Sequence, residues 1–132
     1  MSNGGPVRFA RWVLMIAGII GVLEVFPLYF LEGTIGRTQP PPITHPGFYY
    51  GFVGVTLAWQ IAFLIMARDP LRYVPLMPMA CLEKLLYSLA IFVLYFEGRA
   101  PASNLGTAIL DLFWLVMFVI VWIRLRRVLP SS

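Results

Sequence analysis

Apolar residues dominate four stretches of the chain, and polar or proline-rich segments separate them. A hydrocarbon core of about 30 Å takes about 20 helical residues to cross. The stretches 12–31, 48–67, 76–96 and 105–123 meet that length. Late in the first, Pro27 removes a backbone donor and predicts a kink that leaves the Leu23 carbonyl unpaired. Residues 33–47, with Pro40, Pro41 and Pro42, predict a stiff polyproline-like loop. Residues 68–72 predict a tight basic turn, because Pro70 cannot continue the helix before it. A second polar turn, 97–104, carries Gly98 and Pro101. The pattern predicts an all-α membrane protein, one domain folded as an antiparallel four-helix transmembrane bundle.

Composition narrows the class. Of 132 residues, 60% are hydrophobic and 12% charged, with a mean hydropathy of +0.82. A soluble domain of this size needs far more charge on its surface. Most of the cations behind the net charge of +4 flank apolar spans, so they read as lipid-headgroup anchors and not as a nucleic-acid footprint. The single cysteine, Cys81, excludes an intrachain disulfide and reads as a small core filler. The single histidine, His45, excludes bis-histidine haem and reads as a loop residue; no metal or cofactor is expected. The first span is too long for a signal-peptide core and no small-residue cleavage site follows it, so it is expected to stay. Arg8, Arg11, Arg68, Arg72, Arg124, Arg126 and Arg127 fall on one side and Arg37 and Arg99 on the other. By the positive-inside bias both termini are expected in the cytoplasm, with the chain in the cell membrane. Trp12, Tyr73 and Trp122 then form an inner aromatic belt and Tyr29, Tyr49, Tyr50 and Tyr95 an outer one.

Candidate chemistry lies in the polar residues inside the spans: Glu24, Gln60, Glu83 with Lys84, and Asp111. A charged side chain in hydrocarbon is costly, so each needs a partner, a proton or a polar interior. Counting rise per residue from the span ends puts Glu24 roughly 10–12 Å and Asp111 roughly 9 Å below the outer boundary. Gln60 and Glu83 fall at roughly 18–20 Å by the same count. With the first and fourth spans adjacent, and the second and third, this predicts the pairs Glu24–Asp111 and Gln60–Glu83. Two neighbouring carboxylates in low dielectric favour sharing a proton, which makes Glu24 and Asp111 the candidate catalytic pair if the protein is an enzyme. Tyr49, Thr56 and Gln60 share one stripe of the second span, and Glu83 and Tyr87 one face of the third; these are the candidate ligand-binding residues. Lys84 either pairs with Glu83 or a neighbour, or snorkels to the interface. Gly21 and Ala17 share the face of Glu24 and predict a helix–helix contact. Gly51, Gly54 and Ala58 form a small-residue stripe suited to close approach by another helix, including one from a second copy or a different subunit.

The topology resembles the small four-span bacterial membrane proteins grouped as DoxX-like, and more distantly the EXPERA family of emopamil-binding proteins and sterol isomerases. Pro46-Gly-Phe-Tyr-Tyr50 leading into Ala58-Trp-Gln60, Pro27, and the proline-rich start of the third span carry the resemblance. The EXPERA pattern tends to place an acid one helical turn before the glutamine, where this chain has Thr56. The resemblance implies a four-helix bundle with a central cavity for an apolar ligand. Three readings follow: a binding protein for a hydrophobic or isoprenoid-like molecule, an acid–base isomerase or cyclase of a lipid-like substrate, or a structural subunit of a membrane complex.

Overall fold

The computed structural model describes residues 4–130; the first residues of the polar N-terminal stretch and the last two of the chain lie outside the described residues. Four long helices, α1 (Gly4–Val25), α3 (Pro46–Arg68), α4 (Met77–Phe96) and α5 (Asn104–Val128), and a short α2 (Glu32–Thr38) make up the described secondary structure, with two 3-10 turns. Each long helix is long and apolar enough to cross a membrane, as in a multi-pass membrane protein. α1 begins well before Trp12, because Gly4, Gly5 and Pro6 occupy a first turn where missing donors cost little. At Pro27 the chain does not kink and continue as α-helix. It tightens into the 3-10 turn Phe26–Phe30, which tolerates the missing N–H near its start. The expected loop contains α2, seven residues that run until Gln39 meets the prolines. Gly98 ends α4 at φ +73°, a left-handed conformation that favours glycine.

The core lies toward the arginine-rich end. Leu14, Phe63, Met66, Met77, Phe118 and Leu125 are almost wholly buried there, with Phe63 and Phe118 in edge contact at 5.0 Å. At the same end the Arg11 Nε–H donates to the Ala67 carbonyl at 3.2 Å, one of the carbonyls that the end of α3 leaves unpaired. Arg124 lies 4.6 Å over the Phe9 ring. Leu23, Ile65, Leu89, Ile109 and Val116 are exposed, as lipid-facing side chains are.

α1 packs along α3 and α5, and α5 along α4, but α3 and α4 hardly touch. The expected adjacency of the second and third spans is therefore absent, and a gap stands in its place. The physical reason lies in α1. A Cβ at Gly18 would stand 2.7 Å from Leu64 and 2.9 Å from the Gln60 carbonyl, and one at Gly21 would occupy the space of the Gln60 side chain. These glycines let α3 approach α1 closely. The stripe on α3 contributes nothing comparable within the chain. Gly51 has open space around it, Gly54 faces only the Tyr29 hydroxyl, and Ala58 is exposed.

Candidate intramembrane site

The gap between α3 and α4 opens into a cavity of about 840 Å³. Leu28, Leu31 and Ile35 border it from the segment after α1, Phe52 and Val55 from α3, and Leu82 and Leu86 from α4. All the ionisable and amide side chains singled out in the spans reach it: Glu24, Gln60, Glu83, Lys84 and Asp111. Tyr49, Thr56 and Tyr87 also line it. One volume thus brings together residues from four helices.

Register between α4 and α5 is set by hydroxyl contacts. The Ser88 hydroxyl bridges the Lys84 and Ala108 carbonyls, each at 3.0 Å. Tyr87 and Thr107 hydroxyls lie 2.8 Å apart; Thr107 donates to the Asn104 carbonyl at 2.9 Å, so the Tyr87 O–H donates to Thr107. One turn from Ser88, Lys84 then comes level with Asp111. Lys84 is 4% exposed, so it does not snorkel. Its Nζ lies 3.4 Å from Glu83 Oε2 and 3.7 Å from Asp111 Oδ1, and 5.2 Å from the Phe63 ring centroid. The Glu83 contact is an ion pair without hydrogen-bond geometry, since Glu83 Oε2 accepts no hydrogen bond.

Asp111 therefore takes Lys84 as its ion partner, and Glu24 lies near enough to both to feel their charges. Glu24 borders the same cavity, is exposed to it, and has neither a hydrogen bond nor an ion pair among the described residues. Gln60 is 1% exposed and donates through Nε2 to the Thr56 carbonyl at 3.1 Å. Its Oε1 is buried over Gly21 and accepts nothing. Gln60 and Glu83 border one another but share no hydrogen bond by geometry.

The rim away from the arginine-rich end is tied by aromatic residues. The Tyr49 hydroxyl donates to the Leu28 carbonyl at 2.5 Å, and the Tyr50 hydroxyl to Glu32 Oε2 at 2.7 Å. These bonds fix α2 and the 3-10 turn against α3. Phe52 and Tyr87 stack across the gap with centroids 6.0 Å apart, a second crossing beside that of Lys84 over Phe63.

Sequence reasoning missed the Lys84–Asp111 contact and the part α2 plays in the rim. A serine four residues after the lysine is the signal that carried the first, since a buried hydroxyl seeks a carbonyl on the facing helix. Among the described residues no three carboxylate, histidine or cysteine groups converge as a metal site. Compared with known proteins, the chain matches no family model, no curated protein and no solved structure.

Proposed function

We propose that the chain is a multi-pass protein of the cell membrane, an antiparallel four-helix bundle with both termini in the cytoplasm, whose cavity holds a small hydrophobic or isoprenoid-like molecule. The cavity carries this reading: about 840 Å³, within the range of small-molecule sites, with apolar walls from several helices and polar groups set among them. Val55, Leu82 and Leu86 border it and are exposed, and the cavity is open along its side. An apolar molecule would therefore reach it sideways from the bilayer, between α3 and α4. The orientation is supported by the arginine distribution and by the contacts that bring the start of α1 to the ends of α3 and α5.

Native mass spectrometry of gently solubilised protein tests this reading. A single bound species below the mass of a phospholipid is expected, and Val55→Trp, which fills the side opening, should lose it. A wild-type protein that carries nothing but bulk lipid would contradict the proposal.

Acid–base turnover is the second reading, favoured by one observation: Glu24 faces the cavity without a partner. A carboxyl so placed is free to exchange a proton with a bound molecule. Asp111, held by Lys84, would then orient or stabilise charge rather than share Glu24's proton.

A further inference from the structure

Arginines at the start of α1 and at the ends of α3 and α5 stand at one end of the bundle, where Arg11 meets Ala67 and Arg124 meets Phe9. Of the six acids in the chain, Asp69 alone lies beyond the spans at that end. Its Oδ1 accepts from the Arg72 backbone N–H at 3.4 Å. The ion pairs among the described residues involve Lys84 and Arg99, so no carboxylate neutralises the arginines at this end.

On α5 these cations meet a lipid-facing surface. Ile109, Phe113, Val116, Ile120 and Ile123 are all exposed and follow one another at steps of three or four residues, along one face of the helix. The stripe runs about 21 Å, longer than one leaflet's half of a core of about 30 Å. Arg126 and Arg127 continue its spacing and fall on either flank of the Ile123 face; both are exposed. A shallow groove of about 310 Å³ lies where Ile123 meets them. Arg126 stands 5.8 Å over the Trp122 ring, which keeps its guanidinium at the headgroup level that tryptophan favours.

We infer that Ile123, Arg126 and Arg127 form a site for an anionic phospholipid, with its phosphate in the groove and an acyl chain along the α5 stripe. Two guanidinium forks on either flank grip the oxygens of a phosphodiester. The apolar floor that leads away from them suits a lipid and gives nothing to a free phosphate. A zwitterionic headgroup brings its own ammonium against the arginines, so the site favours a headgroup of net negative charge. The inference rests on the helices spanning a membrane and does not depend on what the cavity between α3 and α4 holds.

The test places the full chain in nanodiscs of mixed phosphatidylglycerol and phosphatidylcholine and counts the lipid retained on release by native mass spectrometry. Phosphatidylglycerol is expected to stay bound in preference to phosphatidylcholine. Arg126→Gln/Arg127→Gln should weaken that retention about tenfold, as two cations lost near the membrane surface imply. Arg68→Gln/Arg72→Gln removes as much charge at the same end but off the groove, and should weaken it less than about threefold because salt screens the long-range field. If the first variant does not accumulate, Arg126→Lys/Arg127→Lys keeps both charges, loses the forks, and should still lower the preference. Excess glycerophosphoglycerol, the headgroup without its chains, should displace nothing. Equal retention of the two lipids, an unchanged preference in the Arg126/Arg127 variants, or equal losses in the two glutamine pairs would overturn the inference. So would displacement by the chainless headgroup, which would make this a free-phosphate site. A chain that does not enter nanodiscs would overturn the membrane reading beneath it. Val55→Trp should leave phosphatidylglycerol bound, so this lipid and the cavity's occupant are read separately; loss of both together would overturn the α5 site.

Discussion

Replacing Lys84 with Met removes one charge while keeping most of the side-chain volume. In the wild type, the ammonium sits between Glu83 and Asp111 at 3.4 and 3.7 Å, under almost complete burial. The two side chains it serves retain only 14% and 16% exposure, so water replaces its role only in part. Taking one partner from a buried ion group costs about 3–5 kcal/mol, and the residual exposure of the acids argues for about 3. Replacing the whole group with neutral side chains is often close to neutral. The triple variant Lys84→Met/Glu83→Gln/Asp111→Asn should therefore recover to within about 1 kcal/mol of wild type. Reversible unfolding in bicelles, followed by steric trapping, measures both differences. A Lys84→Met protein within about 0.5 kcal/mol of wild type, the scatter expected of an indifferent site, would refute the ion-group argument. So would a triple variant less stable than the single one.

Four further outcomes are expected. Gly21→Ala should destabilise by about 1–3 kcal/mol, because its methyl enters the space of the Gln60 side chain; the same unfolding assay reads it. Gly51→Leu meets open space and should leave the protomer's stability within about 0.5 kcal/mol; loss of a cross-linked dimer or complex in that variant would identify the stripe as a partner surface. Tyr50→Phe should cost about 1 kcal/mol or less by removing the bond to Glu32, seen as faster hydrogen exchange confined to α2. A periplasm-active reporter fused after the C-terminus should give no signal, and strong activity there would reverse the proposed orientation.

The long helices were legible because hydrocarbon imposes a length and a composition that Pro40–Pro42, Pro70 and Pro101 punctuate. Depth was less legible. Counting from span ends assumes that neighbouring helices begin at one plane. The Ser88–Ala108 and Tyr87–Thr107 contacts instead offset α4 against α5. That offset brings Asp111 level with Lys84. Helix adjacency was also only partly legible, since short connections favour neighbours but do not set their spacing. The spacing was set by Gly18 and Gly21 of α1, while the more conspicuous stripe on α3 packs against no helix. The residues bordering the cavity were visible as misfits to lipid; that Lys84 pairs with Glu83 and Asp111 needed the three-dimensional register.

The central claim is that the space between α3 and α4 holds a small apolar molecule in the membrane. A photoreactive benzoylphenylalanine at Thr56, inside the cavity, tests it in growing cells against the same residue at Ile109, which is 57% exposed on the outer surface. Irradiation should give the Thr56 protein one discrete small adduct that the Ile109 protein lacks. Identical phospholipid adducts at both positions would contradict the account.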